Sequence, residues 1–405
     1  MREYPIFIFA ALLTLAYGFF SRLTERSPVS AAMVFVSVGI LASPLGFDFM
    51  ELGMKSTPVR VFAEVTLVLV LFTDASLIEV KSLVSSKSLP FRLLFVGLPL
   101  TMVLGVLLAV PLFKDLGLWS VALMAFILSP TDAALGQPVV KSPFVPKNIR
   151  EAINVESGLN DGIALPPILA CIAALSVETP EHTGALYWTE FVLMQFIFGP
   201  VLGGLVGWVG GTLVDKASKA GWMDTTFQRL AGYSLAILAF ALAEQFHGNG
   251  FIAAFFGGLM LGGHTQEVCE RMEEFGEAEG QQLALLIFLI FGLAAVPQAI
   301  KYWDGRAWLY AFLSLTIIRM VPVAVALTGT KLKRFPVLFI GWFGPRGIAS
   351  VLYLLVVVNE LGVKGYERIL SVVILTIMLS IFLHGITAAP LARLYTRFTG
   401  DRTAA

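Results

Sequence analysis

Thirteen apolar runs recur from one end of the chain to the other, at roughly 4–21, 29–46, 59–77, 91–113, 117–138, 150–176, 188–214, 228–246, 249–263, 281–300, 306–328, 336–358 and 368–390. A bilayer-crossing helix needs about 17 residues or more, and only the ninth run falls short. Backbone inside lipid must satisfy its own hydrogen bonds, so such runs fold as helices. The expected fold class is an all-α polytopic membrane protein of about 13 transmembrane helices. Composition agrees: 57% of the 405 residues are hydrophobic and 14% charged, against about 25% charged in an average soluble domain. These figures exclude a disordered chain, a coiled coil and a small disulfide scaffold. Zero formal net charge argues against nucleic acid as a partner, because phosphates call for a basic surface. The partner is the lipid bilayer. The first run, with Arg2 ahead of it, is expected to be a retained span rather than a cleaved signal.

Positive charge marks the cytoplasmic side of a membrane protein. Eighteen of the 28 Lys and Arg residues fall on odd-numbered connections and the C-terminal tail, eight on the N-terminus and even-numbered connections, and two inside spans. That asymmetry predicts an outside N-terminus and a cytoplasmic C-terminus. Cys171 and Cys269 lie in unlike settings and make no pair, and His182, His247, His264 and His384 are read as incidental.

Thirteen spans divide into six, a linker and six, with the second six inverted relative to the first. Each fifth span is interrupted: Ser129-Pro130-Thr131-Asp132 in one half, Gly341-Trp342-Phe343-Gly344-Pro345-Arg346-Gly347 in the other. Proline removes a backbone donor and glycine loosens the helix, so both spans are expected to break near mid-membrane. Matching broken helices in two inverted halves point to a binding site.

An ionised side chain in lipid costs about 2.5–3.5 kcal/mol even on the mildest scale, so those inside spans must face protein or water. They are Glu64, Asp74, Asp132, Glu156, Asp161, Arg319 and Arg346, an excess of acid that suits a cation pathway. Glu64 reads as an inward-facing structural acid and Asp74, near the end of its span, as a solvated one. On the sixth span Glu156 and Asn160 share one helical face, and Ser157 and Asp161 the next. A carboxylate and a hydroxyl on one face, with Thr131 and Asp132 at the neighbouring break, supply oxygen ligands for a hard cation. The glycines at 199, 203, 207 and 211 follow small-xxx-small spacing and predict close helix packing. Six glutamates at 267, 270, 273, 274, 277 and 279 read as a solvated face.

Ser-Pro-Thr-Asp (129–132), Glu-Ser-Gly-Leu-Asn-Asp-Gly (156–162) and Gly-Pro-Arg-Gly (344–347) resemble signatures of the monovalent cation:proton antiporter-1 family, which includes NhaP and NHE sodium/proton exchangers. Phe-Thr-Asp-Ala (72–75) and Ile-Ile-Arg (317–319) are similar to its third and eleventh spans. The resemblance implies a sodium/proton antiporter fold with two crossed broken helices. It implies scaffold and dimerisation helices at 1–90 and 228–300, an ion-transport core at 91–176 and 306–395, and a linker helix at 188–214. Asp161 would bind cation or proton, with Thr131, Asp132 and Ser157 completing or shaping the site. Asn160 would mark electroneutral one-for-one exchange, and Asp74 would lie near the ion path. Glu156 and Arg319 would form a buried ion pair that also holds Asn160, and Arg346 would neutralise helix ends at the crossing.

The expected function is secondary active antiport of Na+ or Li+ against H+ in a bacterial inner membrane, serving pH homeostasis, by a homodimer. A K+/H+ antiporter is the alternative, and a passive cation channel a weaker one. A transporter, not an enzyme, is implied, with no cofactor beyond the transported ions.

Overall fold

The computed structural model describes residues 4–24, 27–77, 89–176, 193–262 and 280–399. The acidic connection at 267–279, Cys269, His182 and His264 lie outside the described residues. Every regular element among the described residues is helical. In chain order they are α1 (Tyr4–Thr24), α2 (Ala31–Ala42), α3 (Thr57–Ser76), α4 (Leu89–Leu112), α5 (Leu118–Ile127), α6 (Ala133–Val140) and α7 (Lys147–Ser176). There follow α8 (Gly199–Lys219), α9 (Thr225–Gln245), α10 (Gly250–Gly262), α11 (Gly280–Tyr302), α12 (Gly305–Ala326, interrupted at Thr316), α13 (Arg334–Trp342), α14 (Ile348–Glu360) and α15 (Glu367–Thr399).

Among the described residues, pairing α5 with α6 and α13 with α14 as broken spans leaves thirteen helical segments, one for each apolar run. Six of these helices are individually long and apolar enough to cross a membrane, and others are shorter apolar helices. Large apolar side chains such as Phe19, Leu107, Leu213 and Val325 point outward, which suits a hydrocarbon surrounding rather than water.

Local chemistry sets the ends. Asp224 caps α9 by accepting the amides of Thr226 and Phe227, and Asp304 caps α12 through those of Arg306 and Ala307. The division between the eighth and ninth spans is sharp. His247 turns the chain at φ 60°, Asn249 accepts the Ile252 amide, and Glu244 accepts the Gly250 amide.

Helix α10 packs against α3, α8 and α9, while α7 packs on α3, α5 and α6. The glycine stripe of α8 packs as its spacing predicts. A Cβ on Gly203 would run into the backbone of Ala253, and one on Gly207 into that of Gly257. Both broken spans lie among α7, α12 and α15, and this bundle holds Thr131, Asp132, Glu156, Ser157, Asn160, Asp161, Arg319 and Arg346.

Candidate functional site

The fifth span stops being helical at Ile127 and restarts at Ala133; the twelfth stops at Trp342 and restarts at Ile348. The two gaps meet. The Asp132 amide donates to the Pro345 carbonyl at 2.8 Å. The Asp132 carboxylate accepts the Leu135 amide at 3.3 Å on its own span and the Ile348 amide on the other. One side chain therefore caps two helix N-termini, where an anion is favoured. The crossing needs glycine: a Cβ on Gly347 would strike the Asp132 carboxylate, and one on Gly344 the Arg319 guanidinium and Thr131. Ser350 answers the opposite polarity by donating to the Ile127 carbonyl at 2.8 Å, near the end of α5.

Arg346 is fully buried. Its guanidinium donates to the Gly344 carbonyl and, at 3.5 Å, to that of Ser314 beside the interruption of α12. It thus faces carbonyls at two helix breaks, in keeping with the role the resemblance implies for it. Its amide donates to Ser380 Oγ at 2.6 Å, and Ser380 Oγ lies 3.0 Å from His384 Nδ1. His384 Nε2 is 2.9 Å from the Trp342 carbonyl. His384 Nδ1 also lies 3.0 Å from the Ser380 carbonyl, so each ring nitrogen faces a carbonyl that can only accept. His384 is therefore not incidental: it ties α15 to the end of α13.

The sixth span passes beside the crossing as the continuous helix α7. Glu156 and Arg319 form a two-pronged ion pair at 2.6 and 2.8 Å, with side chains 2% and 1% exposed. The expected hold on Asn160 is corrected. Asn160 Nδ2 donates instead to Thr131 Oγ1 at 2.6 Å, and Thr131 Oγ1 lies 3.0 Å from Ser157 Oγ. Thr131, Ser157 and Asn160 thus form one cluster joining the break to α7. Asp161 follows in the chain, 4% exposed. Asp161 Oδ1 and Asn160 Oδ1 are buried with no hydrogen-bond partner among the described residues. Two bare oxygens in an apolar interior are costly unless something occupies them.

Asp74 is half-buried on α3 and faces α7, since a Cβ on Gly158 would lie 3.8 Å from the Asp74 Cβ. Gly158 is one turn before Asp161, so Asp74 borders the site. Glu64, expected as an inward-facing structural acid, pairs with Arg60, four residues earlier, at 2.8 Å on a partly exposed face.

Two further residues belong to the surroundings and escaped sequence reading. Tyr353, fully buried on α14, donates its hydroxyl to the Asp161 carbonyl at 2.7 Å. A tyrosine inside an apolar span was the available signal, because a buried phenol needs a partner. For His384 the signal was an ionisable group within the last apolar run.

Fold and site together define a helical membrane protein built around two crossed, interrupted helices and a buried carboxylate. A family profile described as "Sodium/hydrogen exchanger, transmembrane" matches residues 8–394, and the chain belongs to this family. It is 28% identical to the Na(+)/H(+) antiporter NhaP of Pseudomonas aeruginosa, over 94% of this chain and 93% of that one. It is 24% identical to the K(+)/H(+) antiporter NhaP of Alkalimonas amylolytica, over 92% of this chain but 63% of that one. The chain thus spans about two-thirds or less of the length of that relative and of the Shewanella oneidensis K(+)/H(+) antiporter NhaP2, of which 66% is covered. The structure of the sodium proton antiporter MjNhaP1 from Methanocaldococcus jannaschii has the same fold: TM-score 0.77, 15% identity, with 98% of this chain and 99% of that one aligned.

Proposed function

We propose that the protein is a secondary active antiporter that exchanges a monovalent cation for protons across a membrane, with Asp161 as the carboxylate both ions share. The observation that carries this reading is the bare, buried Asp161 Oδ1 next to the Thr131–Ser157–Asn160 cluster at the helix crossing. A carboxylate withdrawn from water is costly to ionise, so cation and proton compete to neutralise it. Either occupant lowers the cost of moving the site through the membrane, whereas the empty charged site is held back. Competition together with alternating access produces exchange.

In this reading Asp161, Thr131 and Ser157 hold the cation, Asp74 lines its path, and Asp132 serves the site chiefly by holding both broken spans in register. Asn160, neutral and hydrogen-bonded to Thr131, leaves one titratable carboxylate at this point of α7 and favours electroneutral one-for-one exchange. Glu156–Arg319 and Arg346 hold the frame. Residues 91–176 and 306–395 form the moving core, residues 1–90 and 228–300 the scaffold of a homodimer, and residues 188–214 the linker. The N-terminus is outside and the C-terminus cytoplasmic, in a bacterial inner membrane, and the activity serves pH homeostasis.

Sodium or lithium is the leading cargo, supported by the relative named for Na+ that matches over nearly its full length. K+/H+ exchange is the second reading, supported by the relatives named for K+. A dequenching assay in proteoliposomes tests the proposal. An imposed pH gradient is challenged with Na+, Li+ or K+, with membrane potential clamped or free. Cation-dependent collapse of the gradient, uphill movement and indifference to potential are expected; a channel only dissipates gradients.

A further inference from the structure

The turn of α7 that carries Asp161 is weakened by its own sequence. Pro166 and Pro167 lie inside the helix, and a proline deprives the carbonyl four residues earlier of its amide. The carbonyls of Gly162 and Ile163 therefore lose their helical donors immediately after Asp161. The Asp161 carbonyl, one residue earlier, keeps the Leu165 amide as its helical donor and is held from outside as well. Tyr353 donates its hydroxyl to the Asp161 carbonyl at 2.7 Å, and its ring is fully buried. The same helix presents the Ile348 amide to the Asp132 carboxylate and the Ser350 hydroxyl to the Ile127 carbonyl. One half-helix, α14, thus sets the two sides of the break in the fifth span and the Asp161 turn of α7 against a single reference. An apolar side chain would fill the space at 353 without a phenol to satisfy; among the described residues the hydroxyl bonds the Asp161 carbonyl.

We infer that Tyr353 is a positioning residue for cation–proton exchange, its hydroxyl fixing the Asp161 turn relative to Thr131 and Ser157. This rests on Asp161 being the exchanging carboxylate. Tyr353 holds backbone and is not itself a ligand. Without the hydroxyl, the turn ahead of the double proline is free to shift. The cation then meets oxygens that are no longer preplaced, and affinity falls because ordering them is part of binding. The transport step moves the helix bundle as a whole and does not depend on this one bond.

The test is Tyr353→Phe, which keeps the ring, in proteoliposomes titrated separately with Na+, Li+ and K+. For the supporting cation, half-saturation is expected to rise about fivefold, the effect of one net hydrogen bond, with maximal rate within about twofold. Discrimination between Na+ and Li+ is expected to narrow. Pro166→Ala/Pro167→Ala returns amides to the Gly162 and Ile163 carbonyls, so adding Tyr353→Phe to that variant should raise half-saturation less than about twofold. Unchanged half-saturation in Tyr353→Phe, a change in maximal rate alone, or an equal rise in both backgrounds would overturn the inference. Loss of folded protein in Tyr353→Phe would overturn it too, making the hydroxyl a structural tie. Asp161→Asn, measured in parallel, separates the two claims. If it abolishes exchange and Tyr353→Phe is silent, only the positioning role fails; if it retains saturable exchange, the carboxylate reading fails and this inference with it.

Discussion

The carboxylate of Asp132 accepts the backbone amide of Ile348, 216 positions away, so one broken span caps the other. The second carboxylate oxygen accepts the Leu135 amide at the start of α6. Two helix N-termini therefore share one anion at the crossing. Each cap is worth about 1 kcal/mol. Asp132→Ala is expected to cost about 2 kcal/mol and to lower the thermal midpoint of the detergent-solubilised protein. Asp132→Asn, which keeps one acceptor oxygen, should lose about half as much. Equal midpoints for wild type and Asp132→Ala would mean that the crossing does not rely on this carboxylate.

The Glu156–Arg319 pair lies almost wholly out of contact with solvent. Removing one partner strands the other as a buried charge, at a cost of about 3–5 kcal/mol. Arg319→Met and Glu156→Leu are each expected to reduce the yield of monodisperse protein sharply. The double variant should recover much of it, because two apolar side chains leave no stranded charge. Gel filtration of the three variants reads this directly; a double variant worse than either single one would contradict it.

The α8–α10 contact tolerates no side chain at its closest points. Gly207→Leu drives a branched side chain into the backbone of Gly257 and should prevent folding. Gly204→Ala, one turn before Trp208, places its Cβ 3.5 Å from Met260 Cγ, an ordinary contact, and should fold normally. Comparable gel-filtration profiles for the two variants would contradict the packing.

Beyond the ends of the spans, Asp304 supplies a pH-dependent contact. Slight burial favours its neutral form, but the Ala307 amide, the Arg368 guanidinium and the Arg306 amide outweigh this and hold the carboxyl below the usual carboxylate range. A depressed carboxylate adds stability above its unfolded pKa of about 4, and that stability is lost as pH falls through the folded value. Asp304→Asn should melt lower than wild type at pH 7, and the difference should close as the pH is taken below about 4. A difference that persists unchanged into acid would show that charge is not its source.

The spans and their two interruptions were legible in the sequence because hydrophobic length and proline or glycine at mid-run are local signals. The Glu156–Arg319 pair was expected from the family resemblance; the sequence alone showed only that charges inside spans must face protein or water. Partner assignment within the site was less so. Asn160 turns to Thr131 rather than to the ion pair, a choice set by how α7 is rotated against the break, which helical spacing does not encode. Tyr353 and His384 act on backbone carbonyls far along the chain, and no residue-type pattern marks a carbonyl as needing a donor. Glu64 shows the opposite case: Arg60 sits one turn earlier on the same helix, a pairing that four-residue spacing already offered.

The central claim is that the buried carboxylate of Asp161 carries either cation or proton, one at a time. The most direct measurement is cation-driven proton flux in proteoliposomes containing Asp161→Asn, which keeps the shape of the side chain and removes its titratable charge. The protein is expected to purify with wild-type gel-filtration behaviour and thermal midpoint, and to show no saturable flux with Na+, Li+ or K+ at any pH. Saturable, cation-dependent proton exchange in that variant would contradict the account.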